Sequence, residues 1–403
     1  MRRYLLLWLL PLWLFGAAKY LSPIPLPQVY FISLETEPCD ETCLQEHLER
    51  GEIFSFLALI SERPEFAERF APEVERYATL FNAILPAPRL KSIEGEVRIV
   101  VVGDAQRFRR TLLQIAEAAS AYLLQSGHPF LVETIEAAPH ELPYRVSELT
   151  DYDLIVAIIP YSQAHLLLEL QSSMPIYVPT LHAGLLDEAP QEIYYGGLDY
   201  LAQIEALAQL DDNPLVVYSI EGSPLSERLT LHAAQLRPQS TIHRIKRQNG
   251  DLRYLIKYDR TLDFSDVLLN TPLVTSALIL SQLTLYGHTP PKKLSTQINF
   301  KQKLFDLTQE HDRKGLYMAI STLRSPYSYD AAAGALGTDL LYDWAAYATM
   351  CGIDAILFGS QQMECTLDGH QIRYDTQLLR YHIRGFSEVP RESSQGFLRD
   401  DSL

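Results

Sequence analysis

At 403 residues, with 47% hydrophobic and 21% charged side chains, the chain is too long for one core of ordinary size and too apolar for wholesale disorder. Its formal charge of −16 excludes the basic stripe of a phosphate-tracking surface, so nucleic acid is not an expected partner.

The N-terminus reads as an export signal over residues 1–18. Arg2 and Arg3 precede an apolar run from Leu5 to Phe15, and Gly16-Ala17-Ala18 offers the small residues that a signal peptidase reads, with cleavage before Lys19. The run falls short of the roughly 20 residues of a spanning helix. Left uncut, it would anchor the chain to the membrane; no later segment is apolar enough to cross one. Residues 19–37, with Pro23, Pro25 and Pro27, read as an extended tether. Cysteine usage in an exported chain points to disulfides before metal, so Cys39, Cys43, Cys351 and Cys365 are read as two local bridges, the simplest of three arithmetical pairings, with no metal site.

Residues 38–92 read as a helical hairpin. One helix is expected from Cys39 to about Ile60, striped by Leu44, Leu48, Phe54 and Leu57, and a second from about Pro64 to Leu85, striped by Phe66, Phe70, Val74 and Tyr77. From Val97 the pattern changes to strand, helix, strand: VRIVVVG, an amphipathic run from Thr111 to Gln125, FLVETIE, DLIVAII, a helix near Ala164 to Leu170, PIYV and EIYY. Buried apolar strands alternating with helical spacers predict a parallel sheet covered by helices. Residues 95–210 form this first lobe, the last helix carrying Leu201, Ile204 and Leu207.

Asn213-Pro214 opens a second lobe over 213–325. Its strands are LVVYSI, DVLLN, KLSTQI and LYMAI, with a very apolar helix from Pro272 to Tyr286 and another near Lys301 to Gln309. TIHRIKR and LRYLIKY around Asn249-Gly250 predict a β-hairpin, because Asn-Gly tolerates the positive φ angles of a tight turn. A helix is expected from Thr338 to Met350, and a second hairpin, MECTL and HQIRY, around Asp368-Gly369. Residues 335–362 are assigned to the first lobe, 363–390 to the second, and 391–403 to a disordered tail.

Two α/β lobes in an exported chain, followed by a helix ending in Gly352-Ile353-Asp354-Ala355 and a terminal hairpin, resemble the type I periplasmic-binding-protein superfamily over roughly Glu96 to Pro390. GIDA is similar to a G-aromatic-D-A element of that superfamily. The helical region before the lobes, and LLRYHIRGF as a closing strand, are similar to the penicillin-binding-protein activators of Gram-negative bacteria. Those activators are lipoproteins with a long helical array, whereas here no lipidation cysteine follows the signal and the helical region is short. The resemblance implies a two-lobed α/β fold preceded by a small helical hairpin, and a periplasmic location.

Ligand contacts in such a fold come from loops at the carboxyl ends of strands. In the first lobe these are Asp104, Gln106, Tyr161, Ser162, Gln163, Thr180, His182, Asp199 and Tyr200; in the second they are Ser219, Glu221, Ser223, Asn270, Thr271, Thr296 and Gln297. Hydroxyls and amides dominate, which suits a neutral or zwitterionic ligand, although Asp, Ser, Thr and Asn at strand ends also cap helices routinely. In Tyr195-Gly196-Gly197-Leu198 the paired glycines allow close backbone approach, to a ligand or to a neighbouring strand. No dinucleotide fingerprint, Walker loop or G-x-S-x-G elbow occurs, so no catalytic residue and no cofactor are assigned. The functional expectation is a non-enzymatic periplasmic scaffold or regulator acting through an envelope protein partner or peptidoglycan-associated contacts. The alternative is a solute receptor closing on an amino acid, peptide or other small polar ligand.

Overall fold

The computed structural model describes residues 29–30, 39–60, 66, 69–81, 83–84, 95–246, 251–322, 325–359, 362–383 and 385–390. The export signal, most of the tether and the expected tail lie outside the described residues. The chain divides into two compact units, Met1–Pro88 and Arg89–Leu403.

In the first unit, α1 (Glu41–Glu49) begins at Asp40, whose carboxylate accepts from the Cys43 backbone N–H at 2.9 Å. The single helix expected to Ile60 is broken: Gly51 takes φ +73°, and the chain restarts as α2 (Ile53–Ile60). Breaking there lets α2 turn Phe56, Leu57 and Ile60 inward with Leu44 and Phe70, and the Phe56 and Phe70 rings meet edge to face at 5.6 Å. The described part of the second helix is α3 (Ala71–Phe81). Strand β1 (Val29–Tyr30), from within the expected tether, pairs in parallel with β2 (Ala83–Ile84).

The second unit contains two seven-stranded sheets. The first is built from β3 (Val97–Gly103), α4 (Ala105–Ser126), β4 (Phe130–Glu136), α5 (Leu142–Ser147), β5 (Leu154–Ile158), β6 (Ile176–Val178) and β7 (Ile193–Tyr195). The second is built from α6 (Tyr200–Ala208), β8 (Leu215–Ile220), α7 (Pro224–Leu236), β9 (Ser240–Ile245), α8 (Arg253–Ile256), β10 (Asp266–Asn270), α9 (Leu273–Leu285), β11 (Lys293–Thr296), α10 (Lys303–Leu307), α11 (Glu310–Arg313) and β12 (Leu316–Ile320). Then follow α12 (Tyr327–Ala335), α13 (Trp344–Ile353), β13 (Thr366–Asp368), β14 (Gln371–Arg373), β15 (Gln377–His382) and β16 (Gly385–Glu388). The parallel strands run β4-β3-β5-β6-β7 in one sheet and β9-β8-β10-β11-β12 in the other, the same order twice. Central strands such as β5 and β10 are buried along their whole length, as their continuous apolar runs predict.

The chain crosses between lobes three times, and two elements change sides relative to the sequence assignment. Helix α6 packs against α7, β11 and β12 and so belongs to the second lobe. The β13–β14 hairpin, expected there, extends the first sheet instead, with Gln371 of β14 beside Tyr195 of β7. The hairpin expected around Asn249-Gly250 is also corrected. Its turn lies outside the described residues, but β9 pairs in parallel with β8, and Arg253–Ile256 is a helical turn. Leu252 and Ile256, four apart, are both fully buried, a helical spacing that outweighs the turn signal. Helix α13 starts at Trp344 and not at Thr338, because Asp343 caps it by accepting from the Ala346 N–H.

The GIDA element is a structural corner. Asp354 is fully buried and accepts from Tyr122 Oη at 2.7 Å and from the backbone N–H groups of Gln362 and Met363. Gly352 faces the Tyr177 ring, where a Cβ would overlap the ring carbons, and Tyr177 Oη donates to the Ala348 carbonyl. The Cys351–Cys365 disulfide, with Cα atoms 6.0 Å apart, ties α13 to the segment entering β13, as the sequence pairing anticipated.

Two substitutions test this corner. Asp354→Ala strands the Tyr122 hydroxyl and two backbone donors and is expected to lower stability by about 2–4 kcal/mol. Gly352→Ala, which forces the Tyr177 ring aside, should cost about 1–3 kcal/mol. Chemical denaturation of each variant measures both, and values within about 0.5 kcal/mol of the parent protein would remove the corner from the account.

Candidate functional site

The candidate residues converge on the ends of the parallel strands, but most arrive with their polar atoms already engaged. On the first lobe, Asp104 caps α4 by accepting from Gln106 and Arg107 N–H groups, and Asp199 caps α6 through Ala202. Thr180 Oγ1 donates to the Ile159 carbonyl at 2.7 Å, joining two strand ends. His182 accepts at Nδ1 from the Gly184 N–H and lies 3.8 Å from Asp199. Burial holds its imidazole below the ordinary histidine pKa, outweighing the attraction of the Asp199 carboxylate. Gln106 and Ser162 are exposed, Gln163 is half-buried, and Tyr200 is buried with its ring edge-on to Trp344.

On the second lobe Ser219, Asn270, Thr271, Thr296 and Gln297 are all buried, while Glu221 is exposed and Ser223 half-buried. Asn270 Nδ2 donates to the Ser226 carbonyl and to Thr230 Oγ1, hooking its strand to α7. The Thr271 hydroxyl pairs with Ser276 at 2.7 Å. Gln297 is engaged at three atoms: its N–H donates to Gln203 Oε1, its Oε1 accepts from the Ser321 N–H, and its Nε2 donates to Thr322. Gln203, on α6, is fully buried and also donates to Ser321 Oγ.

Sequence reasoning missed Gln203, and the signal was present. It falls on the same face of α6 as Ile204 and Leu207, and an amide within an apolar helical stripe calls for a buried partner. Assigning α6 to the first lobe concealed where that partner was.

Side chains of the first lobe pack onto the second. Leu185, in the loop after β6, is 4% exposed and belongs to a cluster with Leu229 of α7, Ile204 and Leu207 of α6, and Val217 of β8. Tyr161 packs against this cluster and against the core of the first lobe. Arg228 of α7 donates to Asp187 at 2.9 Å, and the hydrogen bonds it makes to Asp187 and Tyr161 hold its guanidinium above the ordinary arginine pKa. A cavity of about 570 Å³ lies elsewhere, beside β15 and β16 of the second sheet, walled by Phe300, Phe305, Tyr342, Tyr381 and Phe386. Its Arg313 stacks between Phe305 and Tyr381, with the guanidinium carbon 5.0 and 4.9 Å from the ring centroids.

No protein-family model matches the sequence, and no curated protein matches it. Solved structures do match. A periplasmic ligand-binding protein of a branched-chain amino acid ABC transporter from Burkholderia xenovorans aligns with a TM-score of 0.55 at 10% identity, over 73% of this chain and 94% of that one. LivJ, a branched-chain amino acid transporter substrate-binding protein from Streptococcus pneumoniae solved with isoleucine, aligns with a TM-score of 0.54 at 10% identity, over 73% and 99%. The chain has the type I periplasmic-binding-protein fold. The C-domain of LpoA from Haemophilus influenzae, a regulator of PBP1A, aligns at a TM-score of 0.48 and 14% identity over 73% and 100%. Within this type I fold the paired glycines serve the chain itself. The Gly196 N–H donates to the Val178 carbonyl and the Gly197 N–H to the Leu181 carbonyl, and a Cβ on either would collide with Tyr177 or with the Leu181–His182 backbone.

Two measurements follow from the contact between lobes. Leu185→Ala should lower stability by about 2–5 kcal/mol, whereas Arg228→Ala, whose partner Asp187 is 98% exposed, should cost less than about 1 kcal/mol. Equal effects in denaturant melts would contradict the burial argument. For His182, with its folded-state pKa below the unfolded value of 6.5, the stabilising contribution is complete above that value and is lost as the pH falls below it. Melting temperatures compared above and below that pH should show a loss that is smaller in His182→Asn.

Proposed function

We propose that the chain is a non-enzymatic protein of the cell envelope, exported to the periplasm, whose type I module works as a scaffold or regulator through a protein partner or peptidoglycan-associated contacts. One observation carries this reading: the ground between the lobes, where a receptor of this fold would receive its ligand, holds Leu185 and Tyr161 packed on the second lobe. A ligand entering there has to displace buried apolar contacts, and it finds Asn270, Thr271, Thr180 and Gln297 already bonded within the chain. Two disulfides support residence in an oxidising compartment. Among the described residues no helix is long and apolar enough to cross a membrane.

The second reading is a solute receptor, and it draws on the structural neighbours, among them a solute-binding protein from Rhodopseudomonas palustris solved with benzoate and LivJ solved with isoleucine. In that reading Ser162, Thr180, His182, Asp199 and the remaining strand-end residues line the cleft after the lobes part.

Native mass spectrometry of residues 19–403 purified gently from the periplasm separates the two. The scaffold reading expects a bare mass, no shift in unfolding with amino acids or aromatic acids, and recovery of a specific envelope partner by cross-linking. A stoichiometric adduct lost on unfolding would establish the receptor, as would stabilisation near 4.1 kcal/mol at about 1,000 times the dissociation constant.

A further inference from the structure

A second cavity, of about 390 Å³, adjoins the aromatic one beside β15 and β16, and the two share Tyr381 and Ile383 in their walls. Both lie away from the strand-end residues considered above. Lys314 and Gly315, in the wall of the second cavity, immediately precede β12, whereas Ser321 follows the carboxyl end of that strand.

The two walls differ in chemistry. In the first, the ring of Phe386 meets Phe300, Phe305 and Tyr381 edge to face at 5.7, 6.0 and 5.5 Å, so the rings are held by one another. Arg313 is 7% exposed and covered on both faces by rings; its Nε has no hydrogen-bond partner and the guanidinium has no carboxylate counter-ion. A buried cation left unpaired puts a positive potential behind an apolar surface. The second cavity sets Lys314 and Arg380, with His311 and His382 beside them, against one carboxylate, Glu310. Neither Lys314 nor Arg380 forms an ion pair among the described residues, although the whole chain carries a charge of −16. Their field reaches their neighbours: burial, and then the charge of Lys314, hold Lys293 down to a pKa of about 8 against the attraction of Asp312, and burial followed by Arg380 lowers that of Lys292.

Ile383 stands between the two walls with 73% of its surface exposed. An exposed aliphatic side chain flanked by unpaired cations on one side and an aromatic cavity on the other matches an anionic membrane surface, where phosphates and acyl chains are presented together. Glu388, exposed in the wall of the aromatic cavity, disfavours an acid group there and leaves that cavity to the chain. The opposing net charge of the protein does not prevent such a contact, because at physiological salt charges more than about 8–10 Å from the surface are largely screened and the local patch dominates.

We propose that this corner of the second lobe docks on a membrane by binding an anionic phospholipid, its phosphate against Lys314 and Arg380 and an acyl chain in the ring-walled cavity, with Ile383 inserted between them. The proposal rests on the envelope reading only for where the chain meets a membrane. Capture of the purified protein by vesicles succeeds or fails whatever its compartment or its partner.

The test uses residues 19–403, so that the apolar N-terminal run cannot insert by itself, and sedimentation with vesicles of equal parts phosphatidylglycerol and phosphatidylcholine. Expected is capture at least about 10-fold stronger than on phosphatidylcholine alone, weakening as salt rises. K314Q/R380Q should reduce it about 30-fold, and Ile383→Asp at least about 10-fold. K257Q/R260Q removes two exposed cations elsewhere on the second lobe and should leave capture unchanged. An equal loss in both double variants would reduce the effect to net charge and overturn the proposal. All of these side chains are exposed, so thermal melts of the variants should match the parent. A second readout needs no variant: phosphatidylglycerol with a photoreactive diazirine on its acyl chain should label Ile383, Leu341 or Phe386, as read by peptide mass spectrometry, and label confined to other elements overturns the site. Binding of dodecyl phosphate monomers without vesicle capture would assign the cavities to a free amphipathic anion and overturn membrane docking, as would failure of both probes.

Discussion

Tyr177 occupies a slot that only glycine can line. Its ring lies on β6, and a Cβ at Gly196 on one side or at Gly352 on the other would overlap it. Its hydroxyl donates to the Ala348 carbonyl within α13, and burial drives the phenol well above its ordinary pKa, so it remains a neutral donor. This contact seats α13 against the first sheet. From that seat Asp354 reaches Tyr122 on α4 and the backbone of Gln362 and Met363, and the disulfide from Cys351 directs the chain into β13. The third crossing between lobes therefore starts from a fixed corner.

The same packing bears on motion. A two-lobed protein that works by closing needs an interlobe surface that is cheap to expose. Here Leu185 and Tyr161 sit within the second lobe's apolar cluster, and fully burying a leucine contributes about 1.5–3 kcal/mol. The adjacent Arg228–Asp187 pair, with side chains 34% and 98% exposed, contributes about 1 kcal/mol at most. Apolar burial, and not charge, is what favours the joined arrangement. Within the second lobe, the Gln203–Gln297 network engages the backbone N–H and side-chain amide of Gln297 at the end of β11.

The strands were readable because they are continuous apolar runs: VRIVVVG and DVLLN became β3 and β10. The Asp368-Gly369 hairpin formed where its turn pair placed it, as β13 and β14. The segments expected to pair on either side of Asn249-Gly250 do not: β9 pairs in parallel with β8, and Leu252 and Ile256 are buried at helical spacing. Local turn chemistry gives way when burial of flanking side chains favours another period. Among the candidate residues, position at strand ends was legible, but engagement was not, since the partners of Asn270 and Gln297 lie 40 and 94 residues away in the chain.

The alternation of strands and helices, the division into two lobes and the two local disulfides were legible in the residues, because each depends on periodicity and short spacing. Only the folded chain shows that α6 serves the second lobe, that the β13–β14 hairpin serves the first, and that Gly196 faces Tyr177 and Gly197 the Leu181–His182 backbone. The physical reason is that a helix stripe or a strand edge specifies that it must be covered, while which surface covers it depends on the path of the chain between sheets.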